Sequence, residues 1–380
     1  MIYVDNNATT PVDPRVASAM LAPLQNQYGN PASVHHAGMQ AAALVEAART
    51  RLAQLIGSRE PEIVFTSGGT EANNAALRGV LTARPERRHL VISAVEHHAV
   101  LEPAEQLARE GAEVTQVPVD RAGRLDLEHL AASLRDDTAL VSVMLANNET
   151  GVIYPLREIA RLAHARGALV HTDAVNALGK IPVNMADLDV DLASFSAHKL
   201  HGPQGAGALF IRGGTPFRPT LLGGPHERRR RAGTLNTPGV VGFGTACEVA
   251  RELGATPLEE MRARRERLED EIRRRYPQAL IVGAAAPRLP NTTCLCLPGV
   301  SGEALLMLLS EEGVCASAGA ACSSGSLQPS HVLRAMGLDE RLAHGQVRFS
   351  LSRFNTDAQI DQLVAILPRV IEKVSAIAVP

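Results

Sequence analysis

Short apolar runs recur along residues 60–215, and segments with helical periodicity separate them. The runs are rich in Val, Ile and Leu, and they lie at 62–67, 89–95, 113–119, 139–146, 168–173, 192–196 and 207–212. The helical segments lie at 71–80, 99–110, 127–134 and 156–166. This alternation predicts an α/β fold in which helices wrap a mostly parallel, seven-stranded sheet. Such sheets bind ligands at the carboxyl ends of their strands.

The pattern changes near residue 255. A long charged helical stretch at 258–276 precedes strand-like residues 291–297, helical residues 303–312, strand-like residues 346–351 and an amphipathic terminal helix. We therefore predict a large domain over 16–255 and a smaller α+β domain formed by 1–15 and 256–380. Residues 317–330 are dominated by Ser, Ala and Gly without apolar periodicity, which predicts a mobile loop in the small domain.

Composition narrows the class of function. The formal net charge of −2 supplies no field that would hold nucleic acid or an anionic membrane, so a small-molecule substrate is expected. No apolar run is long enough to span a bilayer, and we predict a cytoplasmic protein. The five cysteines are odd in number and lack zinc-site spacing, which predicts neither a disulfide framework nor a metal site.

Two strand ends carry candidate chemistry. Lys199 follows the run 192–196, at a place where an amine flanked by apolar surface can attack an aldehyde. Asp173 ends the run 168–173, where a carboxylate needs a partner such as a protonated pyridine nitrogen. Taken singly, Lys199 also fits a surface lysine and Asp173 a helix N-cap. Together they favour pyridoxal 5'-phosphate, with Lys199 as its Schiff-base lysine.

Further polar residues follow other strand ends. Ser67 to Glu71 form a glycine-containing turn before a helix, and its free N–H groups and the Thr70 hydroxyl suit a single phosphate. Ser196 and His198 could add donors to that phosphate. His97 could stack on a planar ring or move a proton, unless it is an ordinary surface histidine. Residues 147–148, Asn-Asn, offer an amide at Asn148 but also fit a plain turn.

Read together, these segments resemble the cysteine desulfurases of the class-V aminotransferase family, and most of all the NifS-type branch. The similarity runs nearly from end to end. It rests on residues 4–10, 29–33, 67–71, 96–97, 147–149, 171–174, 196–199, 231–234, 321–326 and 347–350.

The resemblance implies a role for each matching position around the cofactor ring. Lys199 would carry pyridoxal 5'-phosphate, Asp173 would pair its ring nitrogen, and His97 would stack on the ring. The family usually has glutamine three residues after the aspartate, to bond the ring's phenolic oxygen. Here that position is Asn176, which is one methylene shorter, so a water fills the gap or the bond is lost.

The resemblance also implies how the phosphate and the substrate are held. The phosphate would be bound by Gly69, Thr70, Ser196 and His198. A threonine at the Thr234 position reaches the phosphate of the neighbouring subunit in the family, which implies a homodimer with shared active sites. Asn30, Asn148 and Arg348 would orient the substrate carboxylate, the arginine as a bidentate fork.

Cys322 is the predicted nucleophile because it lies in the Ser/Gly-rich loop, where a thiol can travel. The other cysteines are expected to be packing residues: Cys247, Cys294, Cys296 and Cys315. By the resemblance, the chain would convert L-cysteine to L-alanine and leave a persulfide on Cys322. An iron–sulfur scaffold or a sulfur-carrier protein would then accept the sulfur.

Two other functions stay open from the sequence. A selenocysteine lyase would use the same cofactor with little help from Cys322, and a non-catalytic scaffold would keep the fold without turnover. The run 227–231 holds five charged residues, four of them arginine. It fits a solvated or ion-paired loop, or a contact with an acidic carrier or the neighbouring subunit.

Overall fold

The described part of the chain, residues 1–319 and 329–377 of a computed structural model, contains a large sheet and two smaller ones. Its strands are β1 (Ile2–Tyr3), β2 (Ile63–Thr66), β3 (His89–Ser93), β4 (Glu113–Val117), β5 (Thr138–Ser142), β6 (Leu169–Asp173), β7 (Leu192–Ser196), β8 (Gly207–Ile211), β9 (Leu280–Val282), β10 (Thr292–Cys296), β11 (Val314–Cys315) and β12 (Gln346–Ser350).

Helices follow most of the strands. They are α1 (Pro14–Gln25), α2 (His36–Ile56), α3 (Gly69–Ala83), α4 (His98–Arg109), α5 (Leu127–Ser133), α6 (Leu156–His164), α7 (Met185–Leu188), α8 (Thr237–Leu253), α9 (Thr256–Arg275), α10 (Gly302–Glu311), α11 (His331–Ala335), α12 (Glu340–Ala343) and α13 (Asp357–Ile377). Side-chain caps at Asp13, Asp126 and Ser301 begin α1, α5 and α10, each by accepting a main-chain N–H of the first turn. None of the described helices is long and apolar enough to cross a bilayer.

The large sheet confirms the predicted fold class. Its seven strands have the order β2-β8-β7-β6-β5-β3-β4, and all seven apolar runs of the sequence form strands in it. The neighbours from β4 to β7 are parallel, whereas β8 is antiparallel to both β2 and β7. Most of these strands are buried along their whole length, because helices cover both faces of the sheet, and this explains their continuous apolar sequence.

A second hydrophobic core joins the two ends of the chain. Ile2 and Val4 pack in one cluster with Leu268, Leu305 and Phe349. The antiparallel sheet β12-β10-β9 contributes to this core, and β1 pairs in parallel with β11 beside it. The division at residues 15/16 and 255/256 into two domains stays a prediction.

Candidate active site

A cavity lies beside the turns that follow the carboxyl ends of β6 and β7. The described residues that line it are Asn7, Ala8, His97, His98, Asn148, Glu149, Asn176, Lys199, Gly319, His331 and Arg348. Five of these were singled out from the sequence: His97, Asn148, Asn176, Lys199 and Arg348. The predicted ligand site at the strand ends is therefore a cavity with several polar side chains in its lining.

Lys199 lies in a short 3-10 turn, Ala197–Lys199, directly after β7. Its Nζ donates to the main-chain carbonyl of Ala8 at 2.8 Å and to that of Asn7. These carbonyls belong to the segment after β1, which crosses the end of the large sheet. The segment therefore forms one wall of the cavity and fixes the direction of the amine.

Asp173 is buried at the end of β6, the strand beside β7. Its Oδ2 accepts a hydrogen bond from Asn73 Nδ2 at 2.7 Å, and its Oδ1 accepts from the main-chain N–H of Val175 at 2.9 Å. Both bonds stabilise a carboxylate without neutralising it. Asp173 thus accepts a main-chain N–H two residues further along, as a capping aspartate does. It is also a buried carboxylate that suits a cationic ring nitrogen.

His97 caps α4 through its Nδ1, which accepts from the main-chain N–H of Ala99 at 3.0 Å. The neutral ring therefore carries its hydrogen on Nε2. Burial lowers the pKa of His97, and the positive charges of Lys199 and nearby histidines lower it further, against the opposing effect of Asp173. A neutral, half-buried imidazole beside Lys199 and Asp173 has the character that stacking on a planar ring requires.

The turn before α3 forms an open cradle. A Cβ on Gly69 would lie 2.6 Å from Val175 Cγ2, whereas a Cβ on Gly68 would meet no atom within 4 Å. Ser196 of β7 lies opposite Gly207 of β8, and Gly207 packs so close to Gly68 that its own Cβ would lie 2.5 Å from the Gly68 Cα. Strand β7 therefore ends near the N-terminus of α3, whose first N–H groups suit a phosphate.

His198 and Thr70 complete the predicted phosphate ligands. Burial, together with the charges of Lys199 and Lys180, lowers the pKa of His198 to about 4, so its ring is neutral at physiological pH. Its Nδ1 lies 3.1 Å from Thr9 Oγ1. Thr70, in the first turn of α3, is exposed, so its hydroxyl is available to a ligand.

Arg348 reaches the cavity from β12. Its guanidinium donates to the carbonyl of Asn148 at 3.0 Å and to that of Gly319 at 3.2 Å, and it pairs with Asp5 Oδ1 at 2.8 Å. Its buried Nε has no partner among the described residues. A guanidinium that lines the cavity suits the carboxylate of a substrate, which would compete with these carbonyls and Asp5 for its N–H groups.

Of the predicted residues that do not line the cavity, Asn30 and Thr234 are exposed. Asn30 is exposed in the connection between α1 and α2, and its Oδ1 accepts the main-chain N–H of Ala32 at 2.9 Å. Thr234 is also exposed. A contact of Thr234 with a neighbouring subunit stays a prediction, as does the role of Asn30.

The run 227–231 is ion-paired rather than simply solvated. Glu227 is buried and bonds Arg49 at 2.8 and 2.9 Å, and it also accepts the main-chain N–H of Phe65 at 2.7 Å. Arg231 pairs with Glu71 at 2.8 Å in the first turn of α3. The run therefore anchors the segment leading to Thr234 beside the phosphate cradle.

The sequence did not single out two polar residues of this site, Asn7 and Lys180. Asn7 lines the cavity, and the buried Lys180 donates to Asn7 Oδ1 at 2.9 Å and to Asn176 Oδ1 at 3.4 Å. Glu96 is also buried, and burial raises its pKa to about 8. It joins the ends of β3 and β5, because its Oε1 accepts from Ser93 Oγ and from the main-chain N–H of Met144.

Four of the five cysteines lie within the described residues. Cys247, Cys294 and Cys296 are buried, and Cys315 is partly buried. Burial raises the pKa of the Cys247 thiol, while a hydrogen bond with Cys294 and burial raise that of Cys296. Such thiols are packing residues and not nucleophiles. Cys322, the predicted nucleophile, lies outside the described residues, as does most of the predicted loop 317–330.

Comparison with known proteins identifies the class to which this fold and site belong. The model of the family described as aminotransferase class-V matches residues 2–363. The chain therefore belongs to the class-V aminotransferase family, whose members use pyridoxal 5'-phosphate. This membership confirms the predictions of an enzyme and of its cofactor.

Individual relatives narrow the similarity to one branch. The chain is 48% identical to a cysteine desulfurase of Trichormus azollae, over all of this chain and 94% of that protein. It is 46% identical to the cysteine desulfurase NifS of Azotobacter vinelandii, over 97% of this chain and 92% of that one. A solved structure described as a NifS-like protein has a TM-score of 0.90 at 40% identity, covering 99% of both chains. The resemblance noted in the sequence is thus confirmed.

The residues present fit the cofactor of the family. The cavity offers an amine at Lys199, and Asp173 places a buried carboxylate at the neighbouring strand end. The space beside Gly68, at the N-terminus of α3, is open for a phosphate. An aldehyde, a ring nitrogen and a phosphate therefore each find a chemically matched group, contributed by neighbouring elements of the large sheet.

Proposed function

We propose that this chain is a cysteine desulfurase that converts L-cysteine to L-alanine and passes the sulfur on through Cys322. The observation that carries the proposal is the pairing of Lys199 and Asp173 at the ends of adjacent strands, in a chain nearly half identical to proteins named cysteine desulfurase. Pyridoxal 5'-phosphate, when bound, stabilises negative charge on the Cα of an amino acid.

The residues of the chain would divide the work as follows. Lys199 carries the cofactor and moves the proton at the substrate Cα, and its hydrogen bonds to the carbonyls of Asn7 and Ala8 direct its Nζ. Asp173 would accept the hydrogen of the ring nitrogen. His97 would stack on the ring as a neutral imidazole and exclude water from one face. Asn176 would lie beside the phenolic oxygen of the ring, with a water filling the gap or the hydrogen bond lost.

We propose that different residues hold the substrate and the phosphate. Arg348 would bind the substrate carboxylate with Asn148 beside it, because both residues line the cavity. The phosphate is held by Gly69, Thr70, Ser196 and His198. Because Thr234 and Asn30 are exposed in the single chain, we propose that they act in a homodimer with shared active sites.

Cys322 would supply the thiolate that attacks the substrate sulfur and becomes a persulfide. An iron–sulfur scaffold or a sulfur-carrier protein would then take the terminal sulfur. We place these reactions in the cytoplasm. The buried state of Cys247, Cys294 and Cys296 supports the choice of Cys322, because those thiols cannot reach a substrate.

The proposal is tested first by finding the lysine that carries the cofactor. Purified protein reduced with borohydride and digested should carry the cofactor on the peptide that contains Lys199. The chain has only three lysines, so the assignment is unambiguous. Attachment to Lys180 or Lys373 would contradict the proposed site.

The second test follows sulfur and alanine together. Incubation with L-cysteine and a reductant should yield sulfide and alanine in equal amounts. Cys322→Ser should retain the absorbance of the bound cofactor but form no alanine, whereas the control Cys315→Ser should keep turnover. Full activity of Cys322→Ser on cysteine would refute the nucleophile. Activity of that variant on selenocysteine alone would favour a selenocysteine lyase.

A further inference from the structure

Lysine is rare in this chain. Only three of its 38 Lys and Arg residues are lysine, at positions 180, 199 and 373. Lys373 is exposed on α13, with 61% of its side chain accessible. The other two meet at one site. A chain that uses arginine almost everywhere else therefore retains lysine at two positions that lie close together in the fold. A compact amine fits there, and a planar guanidinium is not equivalent to it.

Lys180 is buried without an ion-pair partner among the described residues. Its Nζ donates to Asn7 Oδ1 at 2.9 Å and to Asn176 Oδ1 at 3.4 Å. Asn7 also receives the Lys199 amine, at its main-chain carbonyl. The two lysines thus contact the same residue from two sides. A buried amine that is held only by amides is costly, which argues for a specific function.

Asn7 connects this lysine pair to the rest of the cavity. Its Nδ2 donates to the carbonyl of Asn148 at 3.0 Å and to Thr292 Oγ1 at 2.9 Å, and its Oδ1 also accepts from Asn291 at 3.1 Å. The Oδ1 of Asn176 is likewise taken by Lys180, so the Nδ2 of Asn176 is the group left to donate to a ligand. Lys180 therefore fixes the orientation of both side-chain amides, because the Oδ1 atoms of Asn7 and Asn176 face its Nζ.

The charges around Lys180 are almost all positive. Burial lowers its pKa well below the ordinary value, and the charges of Lys199 and Arg348 lower it further. His198 and His201 also lie close, but both are neutral near pH 7, because burial lowers the pKa of each to about 4. Two amines in such a site resist carrying a proton at the same time, since like charges raise the energy of the doubly protonated state.

We propose that Lys180 is a positioning residue for Lys199: it holds Asn7, whose main-chain carbonyl accepts from the Lys199 amine, and Asn176, which lines the cavity. This inference rests on the proposed function, in which Lys199 carries the cofactor. Lys180 thus places two groups of the cavity without touching the substrate.

The test uses Lys180→Met, which removes the donor. Cofactor affinity, measured by titration of cofactor-free protein, should fall about tenfold, because Asn7 and Asn176 lose a buried hydrogen bond worth about 1.4 kcal/mol.

Two further variants complete the experiment. Lys180→Gln keeps an N–H donor, so it should retain more of the cofactor affinity than Lys180→Met does. It also provides the measurement if Lys180→Met does not fold. Lys373→Met should leave cofactor affinity and thermal stability unchanged.

Unchanged cofactor affinity in folded Lys180 variants would overturn the inference. A lower melting temperature without a loss of cofactor affinity would also overturn it, because that is the result of a purely structural role. The wild-type borohydride experiment separates this failure from that of the proposed function. If the wild type carries the cofactor on Lys199, the proposed site stands whatever the Lys180 variants do.

Discussion

The buried ion pair between Arg49 and Glu227 offers a quantitative test of how the segment beside the phosphate cradle is held. Both side chains are only 3% exposed, and their two hydrogen bonds are 2.8 and 2.9 Å long. In Glu227→Gln the guanidinium loses its buried counter-charge and keeps, among the described residues, only the exposed Glu46, whose Oε1 lies 3.1 Å from the Arg49 Nε. Breaking a buried pair from one side costs about 3–5 kcal/mol, so we expect the free energy of unfolding to fall by about 3 kcal/mol.

The measurement is urea unfolding of wild type and variant at equal protein concentration. The control is Glu105→Gln, which breaks the exposed i,i+4 pair with Arg109 and should cost less than about 1 kcal/mol. The double variant Arg49→Met/Glu227→Leu should recover much of the loss, because it leaves no buried charge unpaired. If Glu227→Gln is no more destabilising than Glu105→Gln, the buried pair does not stabilise this segment as expected.

Three other outcomes follow from the described geometry. Gly69→Ala should weaken cofactor binding, measured by titration of cofactor-free protein, because its Cβ would lie 2.6 Å from Val175, and the double variant with Val175→Ala should restore it. Arg348→Met should raise the KM for cysteine more than it lowers kcat, as steady-state kinetics would show. Unfolding should become easier as pH falls from about 6.5 to 4, by at most about 1.4 kcal/mol per pH unit for each buried histidine. His171 and His198 have pKa values lowered to about 3 and about 4 by burial, so the unfolded chain binds their protons first, and a melting temperature independent of pH in this range would contradict it.

The large sheet could be predicted because its strands are buried on both faces. Continuous apolar runs such as 89–95 and 139–146 are typical of such strands, and each run does form one. The antiparallel direction of β8 could not be predicted, because an apolar run carries no sign of strand direction. The short strands β1, β9 and β11 could not be predicted, because two or three residues show no periodicity.

Site residues could be predicted where they follow a strand. Lys199 and Asp173 stand at strand ends, so their convergence follows from the topology. Asn7 and Lys180 lie in irregular segments, and only the folded chain brings them together. A signal for Lys180 was nevertheless present, in the near absence of lysine elsewhere. Asn30 and Thr234 were chosen from a family pattern, and their exposure in the single chain leaves their roles as predictions.

The wall formed by the segment after β1 has a consequence for biosynthesis. Asp5 pairs with Arg348, and the main-chain N–H of Asn6 donates to Ser350, so this wall is held by residues that leave the ribosome near the end of translation. Contacts between residues so far apart in the sequence form late, because both segments must first have left the ribosome. Lys199 is therefore synthesised well before this wall of its cavity is in place. A nascent chain should be unable to retain the cofactor until its last strands have emerged.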